Sequence, residues 1–99
     1  MNVVLTSEAR DDLEQIAEHI ALDSPGRAVS FVAGLVAAAH EIGGMPRAFP
    51  LIPRYAHLQV RRRVHGQYLI FFRADADTVV IIHIVHGARD YESLLFPES

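Results

Sequence analysis

Arg61, Arg63, Arg73 and Arg89 stand with His86 and Tyr91 in the second half of a chain whose basic residues are all arginine. A guanidinium presents a planar fork of donors that matches a carboxylate or a phosphate, whereas the amine of lysine is the more mobile proton carrier. Two chemistries fit the set. One is docking onto an acidic protein surface. The other is RNA cleavage, in which Arg61, Arg73 and Arg89 hold charge on a transferring phosphate while Tyr91 or His86 moves a proton. Pairing with the chain's own carboxylates is the competing role for each surface arginine. Clustering favours function: residues 46–73 hold six arginines and no acid, although the net charge is −3. The acids lie to either side, seven in residues 1–45 and five in residues 74–99.

Other chemistry finds little support. Neither GxxxxGK[ST] nor GxGxxG occurs, so no phosphate-cradling loop is expected. His83 and His86 are three apart in a strand-like run, which turns them to opposite faces, and no metal site is expected. His83, between isoleucines, reads as a buried, hydrogen-bonded core histidine, and His86 at the strand end reads as structural. No serine has the surroundings of a nucleophile, and the absence of cysteine excludes disulfides and fits a reducing cytosol. No cofactor is expected. The opening MNVVLTSEARDDLEQ lacks the basic and apolar regions of a signal peptide, and no apolar run approaches a membrane span of about 20 residues. A cytoplasmic location and no membrane partner are expected.

The elements that position these groups follow from periodicity. Ninety-nine residues, 51% of them hydrophobic, make one domain over 1–99 with one modest core. Asn2–Thr6 reads as a short edge strand. Thr6 or Ser7 caps a helix with an apolar stripe at Ala9, Leu13, Ile16, Ala17 and Ile20, and Asp11 and Asp12 lie in its first turns, where the dipole favours acids. Ser24-Pro25 opens a second helix that buries Ala28, Phe31, Val32, Leu35, Val36, Ala39 and Ile42, and Gly43-Gly44 stops it as a left-handed cap. The short join makes an antiparallel helical hairpin. Pro46, Pro50 and Pro53 mark an extended loop, read as a solvated connector with Phe49 and Tyr55 as anchors, with a cover over one end of the sheet as the alternative.

Leu58–Val64, Gln67–Ala74 and Thr78–His86 then form a three-stranded antiparallel meander, because their turns are too short for crossovers. Alternation puts Gln59, Arg61 and Arg63 opposite Leu58, Val60 and Val64, with Arg62 breaking the apolar face. The two inner strands are apolar on both parities. The helices cover one face, and the second is expected to stay partly open as a partner surface. The class is α+β, ending in a short C-terminal tail or helix.

This order of elements resembles the RelE/ParE superfamily of bacterial type II toxins. Its carriers are Ala9-x-x-x-Leu13-x-x-Ile16, Ser24-Pro25-x-x-Ala28, Met45-Pro46, Arg61 to Val64, Tyr68-Leu69-Ile70-Phe71-Phe72-Arg73 and Ile84-Val85-His86-Gly87-Ala88-Arg89-Asp90. The resemblance implies a toxin neutralised by a wrapping antitoxin. ParE-like members poison DNA gyrase by binding; RelE-like members cleave mRNA on the ribosome with basic residues and often a C-terminal tyrosine. The His86–Asp90 ending and the net acidity favour the ParE-like branch, since an RNA-binding enzyme gains affinity by displacing counterions. Target contacts are then expected at Arg61, Arg63, Arg73 and Arg89, and antitoxin contacts at Leu94, Leu95 and Phe96. The alternatives are an mRNA endoribonuclease using Arg61, Arg73, Arg89, Tyr91 and His86, or a non-toxic antitoxin-binding relative.

Overall fold

Thr6 ends one element and starts the next. Its backbone is extended and its hydroxyl accepts the Ala9 N–H at 3.0 Å, which satisfies a donor that a helix start leaves free. The structure, a computed structural model, describes residues 1–95. Strand β1 (Asn2–Leu5) leads into helix α1 (Ser7–Ala21), and Ser24 and Pro25 restart the chain as α2 (Pro25–Glu41). Two 3-10 turns, Pro46–Ala48 and Pro53–Leu58, lead to β2 (Arg61–His65), β3 (Tyr68–Asp75) and β4 (Thr78–His86), and helix α3 (Tyr91–Leu95) follows. The architecture is the expected α+β order, with sheet order β1-β4-β3-β2. The meander is antiparallel, while β1 pairs in parallel with β4.

Two cores share the sheet. On one face Ile16, Ile20, Leu35 and Ile42 of the helices and the turn after α2 pack on Ile70, Phe72, Ile81 and Ile84. On the other, Leu69, Phe71 and Val85 are buried beneath Ile52, Tyr55 and Val60, with Tyr91, Leu94 and Leu95 of α3 alongside. The proline loop is therefore a lid on the sheet rather than a solvated connector. It folds into 3-10 turns, which need fewer main-chain donors than a strand, and Tyr55 beneath them is 5% exposed. The second face is more covered than its apolar parity foretells; Val4 and Val64 remain exposed.

Gly43 does not cap α2 in a left-handed conformation. The residue after α2 is right-handed, and the glycine is required because an added Cβ would lie 2.7 Å from the carbonyl oxygen of Met1. The amino group of Met1 donates to the Gly43 carbonyl at 3.1 Å, pinning β1 against the end of α2. Gly66, by contrast, has φ +59, which the tight β2–β3 turn demands.

Two open stretches of the sheet are closed locally. Leu51 bridges Arg61, with the Ile52 N–H donating to Val60 and the Arg62 N–H to Pro50, so the proline loop closes the outer side of β2. Where β1 stops, α1 takes over the exposed edge of β4: the Thr6 hydroxyl donates to the Ile82 carbonyl and Asp12 accepts the Ile84 N–H at 2.9 Å.

Candidate functional site

The pleat decides what the arginines can reach. Arg61 and Arg63 pair with Phe72 and Ile70, whose side chains belong to the helix-side core, so both arginines lie on that side of the sheet. Arg61 donates through Nη1 to the Phe49 carbonyl at 2.7 Å. Arg63 donates to the Ala38 carbonyl at 2.7 Å and to Glu41 at 3.0 Å, with its guanidinium 5.2 Å from the centre of the Phe49 ring. Ala38 lies in the last turn of α2, where carbonyls lack helical partners and the dipole attracts a cation. These two arginines tie the proline loop and α2 to the sheet.

Arg62 pairs with Phe71 and thus belongs to the opposite face. Arg73 shares that face and is exposed, 3.5 Å from Asp75. Arg89 follows β4 and is exposed, with no side-chain ion pair among the described residues. Arg73 pairs with Val80, whereas Tyr68 pairs with His86 close to Arg89. Tyr68 and Arg73 are separated by about 16 Å along β3. The structure therefore does not gather the four arginines into one site.

Tyr91 opens α3 with its ring 4.9 Å from that of Phe71, tilted by 32°. Glu92 beside it accepts from Arg54 at 3.1 Å and from the Tyr55 hydroxyl at 3.2 Å. Asp90 accepts the Ser93 hydroxyl at 2.6 Å and the Ser93 N–H at 3.3 Å, and these bonds hold its carboxyl below the usual range. Leu94 and Leu95 are half-buried against the second core, and Phe96 lies outside the described residues.

His83 is the hydrogen-bonded interior histidine that its neighbours imply. Its Nδ1 lies 2.8 Å from Oδ2 of Asp12, and both side chains are largely buried. Because an ionised carboxylate only accepts, Nδ1 carries the proton. Among the described residues no group of three or more His, Cys, Asp or Glu is placed to hold a metal ion.

His86 and Arg89 do meet, in a groove between α1 and the chain-reversing end of the meander. One cavity of about 370 Å³ is lined by His19, Asp23, Arg27, Phe31, Gln67 and Tyr68 together with His86. A second, of about 230 Å³, shares His19, Tyr68 and His86 and is closed by Gln15 and Arg89. Along the wall, the Tyr68 ring lies 5.4 Å from Phe31 and 5.3 Å from His86. Nδ1 of His86 accepts the Ala88 N–H at 3.1 Å, so Nε2 carries the proton and donates to Oε1 of Gln67 at 3.2 Å. Most of these groups escape a reading of the sequence because they come from four separated segments. The one local signal is Arg27 and Phe31, one helical turn apart at the rim of the apolar stripe.

Comparison with known proteins agrees with this architecture. The sequence profile of the family described as the ParE toxin of type II toxin-antitoxin system, parDE, matches residues 3–91. No curated protein sequence matches the chain. Among solved structures it is similar to a chain of a chromosomal ParDE toxin–antitoxin system from P. aeruginosa, with TM-score 0.73 and 20% identity, covering 87% of this chain and 95% of that one. It is also similar to a chain of the toxin–antitoxin complex RelBE2 from Mycobacterium tuberculosis, with TM-score 0.64 and 27% identity, covering 86% of this chain and 95% of that one.

Proposed function

The chain belongs to the ParE toxin family of type II toxin–antitoxin systems, and from that membership we propose that it is a ParE-like toxin that acts in the cytoplasm by binding DNA gyrase. The observation that carries binding over cleavage is the dispersal of the groups a nuclease would need. Arg61 is bound to a main-chain carbonyl, Arg73 lies at the far end of the sheet from Arg89, and Tyr91 is packed on Phe71. General acid–base work on a phosphodiester requires its proton carrier and its cations within hydrogen-bond reach of one phosphate. Target contact is assigned to the arginine set, with Arg73 and Arg89 reaching gyrase directly and Arg61 and Arg63 holding the surface in shape.

A cognate antitoxin is the neutralising partner, in keeping with the toxin–antitoxin assemblies of the similar structures. Its chain is proposed to bury the exposed parts of Leu94 and Leu95, with Phe96, against the second core. Removing the residues after Tyr91 then weakens the complex; unchanged affinity removes the tail from the interface.

The test is a gyrase supercoiling assay with folded, antitoxin-free protein. Inhibition with trapped DNA cleavage complexes is expected, and Arg73→Glu with Arg89→Glu is expected to weaken it about tenfold or more. Absence of inhibition, with cleavage of ribosome-bound mRNA instead, replaces this reading by the endoribonuclease one. Absence of both, without a growth defect on over-expression, leaves an antitoxin-binding module.

A further inference from the structure

We infer that the groove between α1 and the His86 end of the meander is a binding site for a nucleoside phosphate. Arg89 is the one group of this groove that the proposed target contact also uses; the aromatic wall, Gln67, His19 and Asp23 belong to the groove alone, so the inference goes beyond the proposed function. Its two cavities, about 370 and 230 Å³, are neighbours that share His19, Tyr68 and His86 as walls, and together they form a trough of small-molecule size.

The trough offers the separate parts of such a ligand separate partners. Phe31 and Tyr68 supply a tilted aromatic wall against which a flat base can pack, and base–aromatic stacking tolerates any base. Gln67 supplies a donor whose orientation follows from the histidine beside it. With Nδ1 of His86 occupied by the Ala88 N–H, the Nε2 proton fixes Gln67 Oε1, and the amide nitrogen is left without a partner among the described residues. That nitrogen is free to donate to the carbonyl or ring nitrogen of a base.

Charge decides which end takes the phosphate. Asp23 lines the first cavity with Arg27, and a free carboxylate repels a phosphate while accepting from sugar hydroxyls. The acid of the second cavity is Asp12, whose Oδ2 is already engaged by His83 and the Ile84 N–H. Arg89 at that end makes no side-chain ion pair among the described residues. Its fork is therefore available for phosphate oxygens, with His19 opposite as a further donor. The base lies toward Phe31, the sugar toward Asp23 and the phosphate toward Arg89.

A free mononucleotide and the phosphorylated end of an RNA present this same chemistry. The test is an amide NMR titration of the intact chain with AMP, CMP, GMP and UMP, with adenosine and inorganic phosphate, and with a short 5′-phosphorylated RNA. Saturable shifts at Gly66, Gln67 and Ala88 are expected from mononucleotides, with adenosine and phosphate each binding more weakly. Arg89→Ala, an exposed change that spares the core, is expected to weaken nucleotide binding about tenfold. Arg10→Ala, outside the groove, leaves it unchanged. Tighter binding of the RNA identifies a polymer end as the occupant, and equal binding identifies the free nucleotide; both support the site. No saturable shift with any mononucleotide, phosphate matching AMP, or an Arg89→Ala protein that binds as well as the parent overturns it. Gyrase inhibition is read in a separate assay, so failure of either idea leaves the other standing.

Discussion

The carboxylate of Asp12, on the first helix, lies 2.8 Å from Nδ1 of His83, on the last strand, with the two side chains 10% and 13% exposed. The same oxygen accepts the Ile84 N–H. Since β1 ends at Leu5, Asp12 closes the edge of β4 that β1 leaves open. Asp12→Ala would strip two buried donors of their acceptor and is expected to cost about 2–4 kcal/mol. Urea unfolding checks this: the midpoint should fall with the slope unchanged. Asp12→Asn, which keeps one acceptor oxygen, should lose less.

Two arginines of similar sequence setting should behave differently. Arg63 is 21% exposed and donates to a helix-end carbonyl while stacking on Phe49, so Arg63→Ala is expected to cost about 1–3 kcal/mol. Arg73 shares a 3.5 Å contact with Asp75 in solvent, and Arg73→Ala should change stability by less than about 0.5 kcal/mol. Thermal unfolding of the two variants side by side gives the comparison. Equal losses would mean that Arg63's carbonyl bond is matched by water in its absence.

Much of this architecture was legible because it rests on local rules. Thr6, Ser24 and Pro25 mark helix starts by capping chemistry, and the unbroken apolar run Leu69–Phe72 marks a strand with two buried faces. Asp12 was not legible as a buried residue. An acid in a first turn is ordinarily there for the dipole, and only the early end of β1 gives it a strand edge to close. The arginine run was legible in parity but not in direction: alternation separates Arg62 from Arg61 and Arg63, yet says nothing of which side the helices occupy. The groove was the least legible part, since His19, Arg27, Tyr68 and Arg89 meet only after the sheet closes.

Gly43 and Gly44 look equivalent in sequence and are not. A Cβ on Gly43 would sit 2.7 Å from Met1 O and 2.8 Å from Val3 Cγ2, while one on Gly44 meets nothing within 4 Å. Gly43→Ala is therefore expected to destabilise by about 1–3 kcal/mol by pushing β1 off the end of α2. Gly44→Ala is expected to be neutral or to stabilise by about 0.5 kcal/mol through the unfolded chain. Denaturant midpoints of the pair decide it; a harmless Gly43→Ala would show that β1 gives way at no cost.

Tyr91 separates packing from proton transfer. Its ring covers Phe71, so Tyr91→Phe should preserve stability and, under the proposed gyrase-binding function, the inhibition as well. Tyr91→Ala should loosen α3 and cost about 1–3 kcal/mol of the second core. Loss of activity in the phenylalanine variant, with the fold intact, would instead give the hydroxyl a chemical role.

The last prediction concerns acid. Bonds from the Ser93 hydroxyl and N–H hold the Asp90 carboxyl below its usual range, so the folded chain binds this proton less readily than the unfolded chain. Stability then rises with pH across the interval between the two values. The contribution is fully present above the ordinary aspartate range, declines as pH falls through it, and is gone below the lowered folded value. Because Asp90 caps the first turn of α3, the loss should be local: the protection of the Ser93 amide, relative to its intrinsic exchange rate at the same pH, should fall at low pH before the core opens. Asp90→Asn should flatten that dependence, and a variant that keeps the full pH response would assign it to another carboxylate.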